Sequence, residues 1–121
     1  MTLETLPMTF TVCQPADATE IDLNRPWCFA ARTEEELSLV CPTALAPSHT
    51  LAREDGWRGF RIRGVLDFSL IGILSRISGI LAAAQVGIFA VSTYNTDYVF
   101  VRQTQWDAAL SALQHEGYEI A

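Results

Sequence analysis

The stretch that decides the fold runs from Val65 to Val101 and reads VLDFSLIGILSRISGILAAAQVGIFAVSTYNTDYVFV. From Ile73 onward, apolar residues recur at i, i+4, i+7, i+8 and i+11, the spacing of one helix face. This spacing predicts a helix from about Gly72 to Gln85, with Gly79 marking close packing against a neighbouring element. The β-rich segments Ile88 to Thr93 and Asp97 to Arg102 are predicted to form a strand pair joined by a short polar turn.

The sequence on either side completes a repeating order of elements. WRGFRIRGVL, which begins at Trp57, alternates like a strand, and Thr104 with Asp107 three residues later indicates a capped second helix. Gly117 is predicted to end that helix before a last strand, YEI. The order β-α-β-β-α-β predicts a ferredoxin-like α+β fold, an antiparallel sheet with two helices on one face.

The first half of the chain has strands but no long amphipathic helix. Strands are predicted at residues 8–14, 27–32 and 36–41, followed by a loop at about 47–55. These strands need a partner for their apolar face, since a sheet must bury one side. We therefore predict a degenerate N-terminal unit at residues 1–57 and a complete unit at 58–121.

Composition excludes several classes of function. The net charge is −6 and there is no basic patch, which argues against nucleic acid because that affinity comes from Lys and Arg. The chain has no lysine at all, so Schiff-base chemistry and a Walker-type phosphate site are excluded. No apolar run has the length of a membrane span and MTLETLPMTF lacks the apolar core of a secretory signal, so we expect a cytoplasmic location without membrane association.

The side chains best known for catalysis and metal binding are scattered. Cys13, Cys28 and Cys41 form no CxxC pair and lie in apolar strand-like runs, so we expect buried thiols and no metal site. His49 lies in a Pro/Ser loop and His115 beside Glu116 on a polar helix face. We expect no catalytic residue and no cofactor; a small enzyme that uses His or Cys is an alternative.

Taken together, WRGFRIRG, LDFSLIG, SRISGIL and VGIFAVSTYNTDYVFV resemble an ACT domain. Nearly the whole chain is similar to the small tandem ACT proteins related to the aspartokinase regulatory domain and the CASTOR arginine sensors. The resemblance implies a regulatory or sensory protein that binds a small molecule, an amino acid by similarity, and forms a homodimer through its ACT units.

The resemblance also implies where the ligand would bind. In such domains backbone amides at the start of the first helix hold the ligand carboxylate, and an N-terminal helix end attracts anions on physical grounds alone. The carboxylate of Asp67 could pair with an α-ammonium group, and the end of the following strand would supply hydroxyls and a second carboxylate. The predicted ligand-binding residues are Asp67, Leu70, Ile71, Gly72, Ile73, Ser92, Thr93, Asn95, Thr96 and Asp97.

Three plainer interpretations stay open. Ser92 to Asp97 can be a simple hairpin turn, because Asn, Thr and Asp are common turn residues. Asp67 can cap the helix start instead of binding a ligand. The whole chain can be a dimerisation module with no ligand, which would lack a cleft with exposed amides near Gly72.

Overall fold

The structure is a computed structural model that describes residues 1–67 and 70–121. It divides into two compact units. Met8–Trp57 forms one, which we call the inserted unit, and Met1–Pro7 together with Arg58–Ala121 forms the other, which we call the main unit. Phe68 and Ser69, which belong to the quoted LDFSLIG motif, lie outside the described residues.

The main unit has the predicted order of strand, helix, strand, strand, helix and strand, which confirms the ferredoxin-like α+β fold. One further strand, β1, precedes them. The elements are β1 (Thr2–Thr5), the end of β5 (Thr50–Ile62), α1 (Ile73–Ala83), β6 (Ile88–Ser92), β7 (Asp97–Arg102), α2 (Trp106–His115) and β8 (Glu119–Ile120).

Strand β1 explains why residues 1–7 belong to the main unit and not, as we predicted, to the N-terminal one. It lies between β5 and β8, antiparallel to the first and parallel to the second, with Leu3 opposite Ile62 and Ile120. Leu3 is fully buried. Four residues are too few to show a periodic pattern, and their partners lie far along the chain, so no local signal indicates this strand.

The core of the main unit lies between its sheet and its two helices. The strands are ordered β8-β1-β5-β7-β6. Burial of each large apolar side chain contributes about 1.5–3 kcal/mol, so this layer is a main source of the unit's stability. The fully buried members of this core are Leu3, Phe60, Ile62, Ile77, Leu81, Val99, Val101, Ala109 and Leu113.

The inserted unit is a smaller sheet with short 3₁₀ turns in place of helices. Its strands are β2 (Phe10–Pro15), β3 (Phe29–Arg32), β4 (Leu37–Pro42) and the first part of β5, in the order β3-β4-β2-β5. The 3₁₀ turns are Ala18–Glu20 and Thr43–Leu45.

Part of the loop that we predicted at about 47–55 is wrong, because β5 starts at Thr50 and pairs with β2 from there. This part of β5 is a polar strand with exposed side chains, so it lacks the apolar alternation that identifies a strand.

Two local predictions about the helices are also wrong. Helix α2 starts at Trp106 after a 3₁₀ turn at Gln103–Gln105, and its N-cap residue makes no side-chain capping bond, so Thr104 is not the cap. The Gln105 amide instead donates a hydrogen bond to the Gln85 carbonyl, 3.1 Å away, just past α1. Gly79 is exposed and a Cβ there would meet nothing within 4 Å, so close packing does not explain this glycine.

Candidate functional site: a cleft at the start of helix α1

The start of α1 and the β6–β7 turn meet at one cleft of about 280 Å³ in the main unit. Nine of the ten predicted ligand-binding residues line it, and Ile71 is the exception, with 95% of its surface exposed. Those nine are Asp67, Leu70, Gly72, Ile73, Ser92, Thr93, Asn95, Thr96 and Asp97. Their juxtaposition is a result of the fold; their role in ligand binding stays a prediction.

Four further residues line the cleft and were not predicted to bind a ligand: Leu66, Leu74, Ser75 and Tyr94. A usable signal existed for Leu74 and Ser75. The first turn of any helix has N–H groups without a helical partner, so a site at the start of α1 extends to the second and third helical residues. Leu66 and Tyr94 contribute apolar surface, and no spacing rule indicates them.

Backbone hydrogen bonds hold the two walls of the cleft together. The Leu66 N–H donates to the Asn95 carbonyl over 2.7 Å, which ties the segment after β5 to the β6–β7 turn. The Leu70 N–H donates to the Asp67 carbonyl over 3.0 Å. A main-chain contact therefore fixes the spacing of the walls where Leu66 meets Asn95.

The first turn of α1 places at the cleft backbone amides that have no partner inside the helix. Gly72, the N-cap residue, has φ +81°, the left-handed region that favours glycine, and has no side chain to cap the helix. The first helical hydrogen bond runs from the Arg76 N–H to the Gly72 carbonyl, 2.9 Å, so the N–H groups of the three residues between have no partner inside the helix. Together with the helix dipole, these amides attract an anionic group.

The hydroxyls of the β6–β7 turn are used within the protein. The Thr93 hydroxyl donates to the Thr96 carbonyl over 3.0 Å, and the Thr96 N–H donates back to the Thr93 hydroxyl over 3.4 Å. The Thr96 hydroxyl is buried and donates to the Ile62 carbonyl of β5 over 2.7 Å. The interpretation of this segment as a hairpin turn therefore explains the presence of both threonines. Because each hydroxyl already donates its hydrogen within the protein, it could only accept a hydrogen bond from a ligand.

The charge of the cleft comes from carboxylates alone. Asp67 and Asp97 are the ionisable acids among its described lining residues, and no Arg or His side chain is among them. Asp67 is exposed and Asp97 is half-buried. One side of the cleft therefore offers partial positive charge from backbone amides and other parts offer negative charge, an arrangement that complements a zwitterion.

The groups that could support catalysis do not form a relay. The Ser48 hydroxyl lies 3.1 Å from His49 Nδ1, and Glu20 Oε1 lies 3.3 Å from the same nitrogen. Because both contacts use Nδ1, the ring cannot take a proton from the serine on one side while the glutamate orients it on the other. The bonds from Ser48 and His49 lower the pKa of the Glu20 carboxyl, so this cluster is an exposed turn held by an ionised acid.

The cysteines of the inserted unit are packing residues. Cys13 and Cys41 are buried with Leu39, and Cys28 packs at the margin of this cluster. Burial raises the pKa of the Cys41 thiol to about 12, which keeps it protonated and poorly nucleophilic at neutral pH. Within residues 1–67 and 70–121, no group of three His, Cys, Asp or Glu side chains has the geometry of a metal site.

Comparison with known proteins shows the family. The family model of the ACT domain matches residues 52–115, more than half of the 121 residues, so the chain belongs to the ACT domain family. This confirms the resemblance drawn from the sequence. None of the curated proteins matches the chain.

Solved structures share the fold over nearly the full chain. A protein from Agobacterium tumefaciens is 25% identical with a TM-score of 0.86, over 99% of this chain and 91% of its own. A Vibrio cholerae protein of unknown function, described as a possible transport protein, is 18% identical with a TM-score of 0.72, over 93% and 86%. The ligand-free regulatory subunit of aspartate kinase from Thermus thermophilus is 9% identical with a TM-score of 0.65, over 95% and 96%.

In the part of the chain that the structure describes, neither helix has the length and apolar character needed to cross a membrane.

Proposed function

We propose that the chain is a regulatory or sensory ACT protein that binds a free amino acid in the cleft at the start of α1 and has no catalytic activity. One observation carries the proposal: the predicted turns converge on a cleft that combines helix-start amides without a partner inside the helix with the carboxylates of Asp67 and Asp97. The amides would take the α-carboxylate of the ligand, and a carboxylate would take its α-ammonium group.

The shape and lining of the cleft support a small ligand. At about 280 Å³ it is near the lower end of the usual range for small-molecule sites, about 300–1,000 Å³. Leu66, Leu70 and Leu74 supply apolar surface for a side chain, while the polar groups fix orientation. The structural likeness to an aspartate kinase regulatory subunit is consistent with a chain that regulates a partner enzyme through its bound ligand.

Calorimetric titration of the full chain with each of the twenty amino acids tests the proposal. We expect one amino acid to bind, and Asp97→Asn to weaken its binding in the main cleft about 10- to 100-fold, the worth of a hydrogen bond to a charged group. Asp107→Asn is the matched control because Asp107 lies in the first turn of α2, outside the cleft. A folded chain that binds none of the twenty would refute the function, and equal affinity in the two variants would refute the site.

We also propose a homodimer in which a second copy covers the mouth of the cleft. Four large apolar side chains are exposed near it: Val65 at 73%, Leu70 at 53%, Ile71 at 95% and Tyr94 at 81%. Leu70 and Tyr94 line the cleft itself, and contiguous exposed apolar residues of this kind mark interaction surfaces. Ile71→Asp should therefore convert a dimer into a monomer in analytical ultracentrifugation, whereas Leu23→Asp, a change at another exposed leucine, should not.

The same apolar rim favours a second candidate function, a dimerisation module that needs no ligand. The two functions differ in one measurement. A regulatory module should show a dimer dissociation constant that changes on addition of the bound amino acid, because binding and assembly share the cleft mouth. A dimer whose stability is unaffected by all twenty amino acids would favour the ligand-free module.

A further inference from the structure

The inserted unit repeats the strand arrangement of the main unit. Its sheet has the order β3-β4-β2-β5, in which the hairpin formed by β3 and β4 lies beside the opening strand β2, and β5 closes the other side. In the main unit the hairpin formed by β6 and β7 lies beside the opening strand β5 in the same way. The closing strand β8 lies on the other side of β5, with β1 between them. The two hairpins therefore occupy equivalent positions within their units.

The turns of the two hairpins share the backbone hydrogen bond that closes each turn. The Thr33 N–H donates to the Glu36 carbonyl over 2.9 Å, as the Thr93 N–H does to the Thr96 carbonyl over 2.9 Å. The last strand pair before each turn is also equivalent, Arg32 opposite Leu37 in one unit and Ser92 opposite Asp97 in the other. Arg32 thus corresponds to Ser92, and Glu35 corresponds to Asn95.

A second cleft lies at the equivalent place in the inserted unit. It has a volume of about 490 Å³ and is bounded by the end of β2, by the segment that leads into the first 3₁₀ turn, and by the β3–β4 turn. They correspond to the walls of the main cleft, which are the segment after the opening strand, the start of the helix and the hairpin turn. The repeat therefore places a larger cleft where the main unit has the proposed ligand site.

The chemistry of this second cleft differs from that of the first. A guanidinium, that of Arg32, replaces the helix amides as the source of positive charge, and Asp17, Glu35 and Glu36 supply three carboxylates. Within the described residues the Arg32 guanidinium makes neither an ion pair nor a hydrogen bond. Asp17 accepts from the Thr19 N–H over 2.8 Å, and Glu36 accepts from the Gln14 amide over 3.3 Å, so these two carboxylates are held in place.

We infer that this cleft is a second amino-acid site, with Arg32 binding the α-carboxylate and the three acids binding an α-ammonium and a cationic side chain. A planar guanidinium suits a carboxylate because it can donate two parallel hydrogen bonds. One positive and three negative side chains favour a ligand with a net positive charge, so a dibasic amino acid is the expected class. The choice of an amino acid rests on the proposed function, while the position of the cleft does not.

Calorimetric titration with L-lysine and L-arginine tests this inference. Arg32→Gln should weaken the binding that depends on the inserted unit at least tenfold and leave the melting temperature unchanged, since the Arg32 guanidinium forms no hydrogen bond or ion pair with a described residue. Arg25→Gln is the matched control in the same unit, because Arg25 does not line this cleft, and should bind like the unchanged chain. Cadaverine, which has two ammonium groups and no carboxylate, should bind the unchanged chain more weakly than lysine does, and Arg32→Gln should not weaken its binding.

The outcomes separate this inference from the proposed function. Binding that Asp97→Asn weakens and Arg32→Gln leaves unchanged would overturn the second site and support the first. Binding that only Arg32→Gln weakens would support the second site and count against the first. If lysine and arginine do not bind, the second site fails, and if none of the other eighteen amino acids binds either, the proposed function fails as well.

Discussion

Gly59 lies where β5 passes under a buried aromatic ring, and its replacement gives a stringent test of the packing. A Cβ at this position would lie 2.7 and 2.8 Å from two ring carbons of Phe100 and 3.5 Å from a methyl carbon of Leu6. Ordinary contacts between carbon atoms are about 3.5–4.0 Å, so the ring has to move by roughly 0.7 Å. Phe100 is fully buried and stacks on Phe89 with ring centroids 4.8 Å apart, so that movement disturbs a packed pair.

We expect Gly59→Ala to lower the free energy of unfolding by about 1–3 kcal/mol, the usual cost of overpacking a core. Gly79→Ala makes the same chemical change where a Cβ meets nothing within 4 Å, inside helix α1. There we expect a gain of about 0.5–1 kcal/mol, since alanine is the better helix former. The free energy of unfolding should therefore be lower in Gly59→Ala, and higher in Gly79→Ala, than in the unchanged chain.

Urea denaturation followed by circular dichroism measures both effects, with Tm as a second readout at roughly 3–6 °C per kcal/mol for a chain of this size. The steric origin is tested with Phe100→Leu, which makes room for the added methyl. The double variant Gly59→Ala/Phe100→Leu should lose less free energy of unfolding than the two single variants lose together. A Gly59→Ala variant as stable as the unchanged chain would refute the reasoning.

Three further predictions follow from particular hydrogen bonds and ionisations. Thr96→Val removes the buried hydroxyl bond to the Ile62 carbonyl and should cost about 1–3 kcal/mol in urea denaturation, more than Thr93→Val in the more open part of the turn. Hydrogen bonds from Arg53 and Thr11 hold the pKa of the Asp55 carboxyl below its usual 3.8. The ionised carboxylate therefore stabilises the fold fully above about pH 4, and this stabilisation is lost as the pH falls through the lowered pKa. Asp55→Asn should make the decline of Tm at acid pH less steep. With Ellman's reagent at pH 8, the half-exposed Cys28 should react first, and Cys41, its pKa raised to about 12 by burial, should react only after unfolding; early modification of Cys41 would contradict its burial.

Much of the main unit follows from local sequence, because the elements there are long and periodic. The spacing of Ile73, Ile77 and Leu81 predicts α1, and the β-branched and aromatic residues of IFAVS and DYVFVR predict the hairpin strands. The ends of elements are harder to predict from local sequence, as Thr104 shows. A 3₁₀ turn and a helix cap differ little in free energy, so either can form within the same few residues. The resemblance to ACT domains, which rests on the same stretch, is confirmed by the family match.

The cleft was predicted in part. The helix start and the polar turn are visible as residue types, and the fold brings nine of the ten predicted residues together. The sequence does not show which polar groups are already bonded, because Thr96 finds its acceptor at Ile62, 34 positions away in the chain. Whether Asp67 and Asp97 bind a ligand stays a prediction for titration to test.

The sequence by itself determined the types and order of the elements of the main unit from Trp57 onward, since helix and strand periodicity are properties of neighbouring residues. Only the tertiary structure decided that residues 1–7 complete the sheet of the main unit, that β5 extends back to Thr50, and that the inserted unit has a cleft around Arg32. The physical reason is the same for all three. Strand pairing and clefts depend on residues that are distant in the chain, and their free energy comes from contacts that no local pattern encodes.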